Sequence, residues 1–325
     1  MKFAIVGAGA IGGFLGAHLA RAGFDVTLIA RGAHLAAMQS AGIRVVGDGD
    51  DFVAHPRCTD DIAAISDASV VFLTMKAHAL PPIASSIGAA LSSDAAVVTA
   101  QNGLPWWFFE RYEGPLAGAH LRSVDPDGAI AANIDVSQVV GCVVYPATRI
   151  AAPGLIEHIE GTRFSIGEPD GSKSERCQAI SAALVKAGLK APLRTRIRNE
   201  LWLKLIGNVA FNPLSALTRA TLVDIATFPE TRATARAVME EVDSVGRALG
   251  MEMDLSVDQR LAGAEKVGAH KTSMLQDLES GRPLEIDAMV GAVVEVGDLL
   301  GLELPRLQTL YACTRLLDRT VRNQR

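Results

Sequence analysis

The sequence predicts an α/β N-terminal domain, with a parallel sheet and an antiparallel extension, followed by an all-α C-terminal domain. Three observations support this. An apolar run, a glycine-rich turn and a helical pattern open the chain, short apolar runs recur as far as Ile166, and strand patterns stop after Pro192. We place the boundary near residue 194, which gives domains over residues 1–194 and 195–325.

The N-terminal elements begin with a βαβ unit. An apolar run covers residues 2–6, a helical pattern continues to Gly23, and a β-rich run follows at 25–29. The apolar runs 70–74 and 96–100 are typical of parallel strands that are buried on both faces. Further runs and turn pairs between Cys142 and Ile166 predict the antiparallel extension of the sheet.

The sequence also predicts one hairpin tip and a series of helices. The stretch GDGDD at 47–51 predicts the tip of a hairpin. Helical periodicity or helix-favouring composition covers the remainder of the chain at 199–217, 230–250, 255–280, 284–301 and 305–322.

Composition and charge narrow the class of protein. Of the 325 residues, 49% are hydrophobic and 21% are charged, and the net charge of -5 gives no general attraction to nucleic acid or to anionic membranes. The glycine-interrupted first segment lacks the pattern of an export signal, and no run reaches the roughly 18 apolar residues of a membrane span. We expect a cytoplasmic protein that acts on a small molecule.

The four cysteines do not suggest a further cofactor. They are scattered along the chain without a CxxC pair or a nearby histidine cluster. This spacing favours free thiols in a reducing compartment, so we expect neither a disulfide framework nor a bound metal.

The glycine-rich turn carries the first functional signal. Gly7, Gly9 and Gly12 form GxGxxG between a strand and a helix, where missing side chains permit a tight turn and close approach of a pyrophosphate. Ala10 and Ile11 fall at the start of the helix, where free N–H groups and the helix dipole favour phosphate. Glycine-rich turns can be purely structural, but this context favours dinucleotide binding in a Rossmann domain.

The end of the second strand indicates which dinucleotide is bound. NAD enzymes commonly place an acidic residue there for the adenosine ribose, whereas this chain has Ala30, Arg31 and Gly32. A guanidinium can hold a 2'-phosphate through two N–H groups, which an acid would repel. The sequence therefore favours NADPH over NAD, although Arg31 could simply be a solvated residue at the strand end.

Two further loops follow predicted strands. Met75-Lys76-Ala77 comes after the run 70–74, and Gln101-Asn102-Gly103 comes after the run 96–100. Lys76 could be a surface lysine and Asn102 could be part of a turn, but ligands of open α/β sheets bind at the carboxyl ends of strands. That shared location favours a role for both residues in the site.

The helical half of the chain carries two candidate groups of polar residues. Lys204, Asn208 and Asn212 are spaced four apart and drift only about 80° around one helix, beside apolar surface. Such a stripe could deliver a proton to a carbonyl oxygen during hydride transfer, or its lysine could reach solvent and Asn212 could mark a helix end. Ser273 and Glu285 flank a second polar stretch, and we expect Pro283 to start a helix with Glu285 in its first turn.

These motifs together resemble one enzyme family. GAGAIG near the N-terminus, MKA at 75–77, QNG at 101–103, WxKLxxNxxxNP at 202–213 and SMLQDLESGRPLEID at 273–287 are similar, in matching order, to the ketopantoate reductase family. The resemblance implies a Rossmann domain, a helical domain and the NADPH-dependent reduction of 2-dehydropantoate to (R)-pantoate, toward pantothenate and coenzyme A. It also allows a homodimer.

Residue roles follow only from the matched motifs. The resemblance makes Lys204 the general acid and lets Glu285 hold the substrate hydroxyl. Asn208, Asn212 and Ser273 would line the substrate pocket. Lys76 and Asn102 would lie near the nicotinamide ribose and the substrate, and Arg31 would hold the 2'-phosphate.

One stretch leaves the substrate open. After QNG the chain has an apolar, aromatic run at 104–109, LPWWFF, that does not belong to the pattern of the family. It may be read as helix core or as a change to the pocket that suits a different 2-oxo acid. A non-catalytic dinucleotide sensor on the same fold is a third alternative, which the presence of both Lys204 and Glu285 disfavours.

Overall fold

The structure, a computed structural model, describes residues 1–253 and 255–323 and consists of two compact units. The first unit contains Met1–Gln101 and Asp127–Ile197, and the second contains Asn102–Pro126 and Arg198–Arg325. Each unit is thus built from two pieces of chain. The later crossing lies close to residue 194, and the division into 1–194 and 195–325 stays a prediction.

The strands all belong to the first unit. They are β1 (Lys2–Val6), β2 (Asp25–Ile29), β3 (Ile43–Gly47), β4 (Asp50–Ala54), β5 (Arg57–Thr59), β6 (Val70–Leu73), β7 (Ala96–Thr99), β8 (Val139–Val144), β9 (Ala147–Ala152), β10 (Leu155–Glu160) and β11 (Phe164–Gly167). The α-helices of this unit are α1 (Ala10–Arg21), α2 (Gly32–Ala41), α3 (Ala84–Ala90) and α4 (Glu175–Lys186).

The main sheet has seven strands in the order β11-β8-β7-β6-β1-β2-β5. All neighbouring strands run parallel except β11, which is antiparallel to β8. Every residue of β6, β7 and β8 is buried, as expected for parallel strands covered on both faces. The predicted α/β class of the N-terminal domain is confirmed.

A second sheet differs from the prediction. We expected the stretch between Cys142 and Ile166 to extend the main sheet in antiparallel fashion, and β11 confirms this by pairing antiparallel with β8. β9 and β10 instead join β3 and β4 in a four-stranded sheet of order β4-β3-β10-β9. Ile156 of β10 is fully buried, and a Cβ atom added at Gly13 of α1 would come within 3.2 Å of it. Periodicity predicts strands but not their partners. The hairpin tip at 47–51 is confirmed by the pairing of Gly47 with Asp50.

The second unit is helical, as predicted. Its α-helices are α5 (Ile197–Thr218, with Ile197 at the crossing), α6 (Leu222–Thr227), α7 (Pro229–Ala248), α8 (Val257–Val267), α9 (Ser273–Glu279), α10 (Ala292–Leu299) and α11 (Pro305–Asn323). A π-helical turn, Asp287–Gly291, precedes α10. Within the described residues, none of these helices is long and apolar enough to cross a membrane.

A buried histidine links α1 to the smaller sheet. His18 is 3% exposed, its Nε2 lies 3.2 Å from Oδ2 of Asp50, and Arg21 lies 3.2 Å from its Nδ1. Nδ1 also lies 3.2 Å from the Ala187 carbonyl oxygen, so both ring nitrogens have polar partners inside the protein. Burial lowers the pKa of His18, although the nearby Asp50 carboxylate acts in the opposite direction.

This histidine should make stability depend on pH. Because the pKa of His18 is lower in the folded protein, the unfolded chain binds the proton more readily, and the free energy of unfolding should fall as pH drops below about 6.5. Urea unfolding at several pH values measures this. His18→Gln keeps polar contacts without titrating, so its profile should be flatter; identical slopes for the two proteins would contradict the assignment.

Candidate active site

The glycine-rich turn joins β1 to α1. Gly7 has φ +95°, and its N–H and that of Ala8 both donate to the Ile29 carbonyl at 3.1 and 2.9 Å, which fixes the turn against the end of β2. Gly9 caps α1, and this fully described helix has neither a side-chain cap nor an acid in its first turn. The N–H groups at its start, which include those of Ala10 and Ile11, therefore suit an anion.

The glycines are required by close packing. A Cβ atom at Gly12 would lie 2.3 Å from the hydroxyl oxygen of Thr74, and one at Gly7 would lie 2.6 Å from the backbone nitrogen of Met75. Thr74 also donates to the Gly7 carbonyl at 2.9 Å. Sequence reasoning missed Thr74, whose only signal was its place at the end of the predicted strand 70–74. Thr74 therefore holds the glycine-rich turn in place through its hydrogen bond to Gly7 and its packing against Gly12.

Arg31 lies where the sequence placed it. It is exposed and occupies the N-cap position of α2 in an extended conformation (φ -141°, ψ 162°). It directly follows the end of β2, and Gly32 after it adopts φ +60°. The guanidinium is therefore accessible at the strand end, where an adenosine ribose is recognised in this fold.

Lys76 follows β6 at the same edge of the sheet. It is half-buried and caps a short 3-10 turn, in which its carbonyl accepts the Ala79 N–H at 2.9 Å. Gln101, after β7, donates its side-chain amide to the Met75 carbonyl at 3.0 Å. Within the first unit, Gln101 thus ties the start of the second predicted loop to the first loop.

Asn102 and Lys204 come together in the second unit. The Lys204 ammonium donates to Oδ1 of Asn102 at 2.7 Å, and both side chains are partly buried. The residues are distant in sequence, and only the resemblance had linked them. The amide oxygen that accepts this N–H fixes the orientation of the ammonium.

The rest of the polar stripe lies on α5. Asn208 is half-buried, whereas Asn212 is 6% exposed and donates its amide to the Met289 sulfur at 3.4 Å. The helix continues through Pro213 to Thr218, so Asn212 does not mark a helix end. The stripe is therefore a continuous face of one helix, with Lys204 on its N-terminal half.

The second polar stretch departs from the prediction in part. Ser273 is exposed and begins α9 after Thr272, whose hydroxyl caps that helix. Pro283 does not start a helix, because residues 282–285 have no regular structure. Glu285, 7% exposed, lies just ahead of the π-helical turn rather than inside a first helical turn. A proline signals a permitted helix start and not an obligatory one.

The aromatic run is core of the second unit. Trp107, Phe108 and Phe109 are at most 1% exposed, and the Phe108 ring lies 6.0 Å from that of Trp202 on α5. The run forms turns and not a helix, so the helix-core interpretation is right about burial and wrong about conformation. Arg198 donates to the Phe108 carbonyl at 2.6 Å and holds this segment against the start of α5.

Taken together, the glycine-rich turn at an open parallel sheet and the partly buried lysine–asparagine pair of a helical unit define a two-domain dehydrogenase-type oxidoreductase. The family model described as ketopantoate reductase PanE/ApbA matches residues 3–111, and its C-terminal counterpart matches residues 196–318. The chain belongs to the ketopantoate reductase family.

Individual relatives agree over nearly the whole chain. It is 49% identical to a 2-dehydropantoate 2-reductase of Mesorhizobium japonicum, with 98% of each chain covered, and 31% identical to one of Archaeoglobus fulgidus, with 96% of each covered. A solved structure from Ralstonia solanacearum MolK2, described as a ketopantoate reductase, is 42% identical and superposes with a TM-score of 0.93 over 98% of each chain.

Proposed function

We propose that this protein catalyses the NADPH-dependent reduction of 2-dehydropantoate to (R)-pantoate, a step toward pantothenate and coenzyme A. The observation that carries the proposal is the partly buried pair of Asn102 and Lys204, joined at 2.7 Å in a chain that is 49% identical to a 2-dehydropantoate 2-reductase. A fixed ammonium is what a carbonyl oxygen requires when it gains negative charge.

The first unit fits a dinucleotide. Gly7 and Gly12 leave no room for a side chain, the start of α1 offers free N–H groups, and Arg31 supplies a cation at the end of β2. Gly9, Ala10 and Ile11 would contribute backbone to the pyrophosphate, and Lys76 would lie toward the nicotinamide ribose. When bound, NADPH would supply the hydride.

The proton comes from the protein. Lys204 holds a proton on Nζ and donates it to the C2 oxygen of the substrate as that oxygen becomes an alkoxide. Asn102 accepts one Lys204 N–H at 2.7 Å and so orients the ammonium. Because the pair is partly buried, its charge is less screened than it would be in water, which strengthens its interaction with the developing anion.

The remaining candidates bind the substrate. Glu285, a buried carboxylate, would accept a hydrogen bond from the substrate hydroxyl, and Asn208, Asn212 and Ser273 would line the pocket. We assign substrate binding to the helical domain, predicted as 195–325, with Asn102 contributed by the earlier segment. We also propose that the enzyme is a cytoplasmic homodimer; light scattering of the purified protein would measure its oligomeric state.

A panel of 2-oxo acids tests the proposal. NADPH oxidation is followed with ketopantoate, trimethylpyruvate, pyruvate and phenylglyoxylate at matched concentrations. Ketopantoate should give the highest kcat/KM. Faster reduction of another acid would reassign the substrate, and no reduction of any would favour the non-catalytic sensor.

The choice of cofactor gives a separate prediction. Arg31→Ala should weaken NADPH binding about tenfold to a hundredfold, since a charge-assisted phosphate contact contributes on the order of 1.5 to 3 kcal/mol. NADH binding should change little. Fluorescence titration with both cofactors measures the difference, and Arg57→Ala on β5 serves as a control for loss of a nearby exposed charge. Equal affinities of the unmodified protein for NADPH and NADH would contradict the assignment.

A further inference from the structure

Glu285 lies in a short irregular segment, and the residues on either side of it are hydrogen-bonded to another element. The backbone N–H of Leu284, the residue before it, donates to Oδ1 of Asp318 at 3.0 Å. Asp287, two residues after it, accepts the Tyr311 hydroxyl on its Oδ1 at 2.6 Å. Both partners belong to α11, the C-terminal helix.

The two partners are arranged to act together. Tyr311 and Asp318 are seven residues apart and therefore lie two turns apart on one face of α11. Asp318 is 6% exposed and is paired with Arg322 at 2.6 Å, which holds its carboxylate in place while it accepts the Leu284 N–H. The helix thus holds the Glu285 segment on both sides.

The Tyr311 side is packed tightly as well as hydrogen-bonded. A Cβ atom added at Gly291, the last residue of the π-helical turn, would lie 2.7 Å from the Tyr311 hydroxyl oxygen. Arg315 adds an ion pair to Asp287 at 3.5 Å. Tyr311 is therefore held against both ends of the turn.

The π-helical turn also contacts the rest of the proposed site. The Ala288 carbonyl accepts the Leu104 N–H at 2.9 Å, close to Asn102, and the Met289 sulfur accepts the Asn212 amide. π-helical turns are rare and occur frequently at functional sites. This turn, which follows Glu285 along the chain, thus contacts both the loop of Asn102 and α5.

We infer that Tyr311 and Asp318 are positioning residues that set the place of the Glu285 carboxylate, and through it the preference for a 2-oxo acid that carries a hydroxyl. The inference rests on the proposed role of Glu285 in substrate binding. In this role both residues act on the segment that carries Glu285 rather than on the substrate.

Kinetics with two substrates test this role. Trimethylpyruvate is ketopantoate without its hydroxyl, so it cannot use Glu285. Tyr311→Phe and Asp318→Ala should each raise KM for ketopantoate about threefold to tenfold, because the loss of one ordinary hydrogen bond weakens binding by about this factor. KM for trimethylpyruvate and Kd for NADPH should not change. Asp318→Asn keeps an oxygen that can accept the Leu284 N–H, so its KM for ketopantoate should lie close to that of the unmodified protein.

A matched control comes from the same helix face. Thr314 is fully buried on α11, and its hydroxyl donates to the Leu310 carbonyl of its own helix. Thr314→Val removes a buried hydroxyl whose hydrogen bond stays within α11, and it should leave both KM values unchanged. Equal losses for both substrates in Tyr311→Phe would indicate a general structural role and overturn the inference.

A double-mutant cycle identifies the route of the effect. In a Glu285→Ala background, Tyr311→Phe should cause no further rise in KM for ketopantoate, because the group it positions is gone. An additive rise would overturn the inference.

Amide hydrogen exchange supplies a readout that needs no activity. Tyr311→Phe and Asp318→Ala should speed exchange across residues 284–291 relative to Thr314→Val, and unchanged exchange there would overturn the inference. If the unmodified protein does not reduce ketopantoate, the proposed function fails, while exchange still decides whether α11 fixes the segment.

Discussion

Lys204→Ala should lower kcat for ketopantoate reduction about a hundredfold or more, because proton donation and stabilisation of the C2 oxygen act mainly in the transition state. Binding of NADPH should be little changed, since the ammonium lies in the helical unit and pairs there with Asn102. Steady-state kinetics together with a cofactor titration separate the two quantities.

The control for this variant is another lysine of the same unit. Lys271 is half-exposed and pairs with Glu279 at 2.7 Å, so Lys271→Ala removes an equal charge outside the proposed site and should keep normal turnover. Near-normal turnover of Lys204→Ala would remove Lys204 from the acid role.

Gly103→Ala should reduce kcat/KM about a hundredfold, although residue 103 has no reactive group, because displacing catalytic groups by about 1 Å can cost this much. Gly103 has φ +91°, and an added Cβ atom would lie 2.4 Å from the Ala288 carbonyl oxygen. The backbone must therefore shift, which breaks the Leu104 N–H bond to Ala288 and moves Asn102 away from Lys204. Steady-state kinetics and thermal unfolding measure the outcome.

Gly118 offers a matched control in the same segment. It also has a left-handed backbone, with φ +72°, but a Cβ atom there would meet nothing within 4 Å. Gly118→Ala thus imposes the backbone strain without the collision, and it should retain activity. If both alanine variants lose activity equally, backbone strain rather than displacement of Asn102 explains the effect.

The elements of the fold were largely predictable, whereas their partners were not. Buried parallel strands such as β6 and β7 are short apolar runs, and the helical half follows from its periodicity. The separate sheet of β9 and β10 could not be foreseen, because alternation identifies a strand's faces and not its neighbours. The π-helical turn at Asp287–Gly291 has no sequence signature that distinguishes it from an ordinary helix start.

Part of the proposed site was likewise predictable from the sequence, and part was not. The glycine-rich turn and the stripe on α5 are local patterns, and the structure places both where they were expected. The contact of Asn102 with Lys204 is long-range and needed the fold. Sequence reasoning did not identify Thr74, Tyr311 or Asp318. Each forms a hydrogen bond to a functional segment that is distant in the sequence, so the residues next to it in the chain show no recognisable motif.

The split origin of the helical unit has a consequence for synthesis on the ribosome. Asn102–Pro126 emerges well before Arg198, and at roughly 5–20 residues per second the delay is several seconds. During that time Trp107 and Phe108 lack the α5 residues that later cover them. The nascent chain therefore exposes a large aromatic surface until α5 has been synthesised, and chaperones can bind that surface during this period. A separately expressed segment 195–325 would lack these side chains altogether.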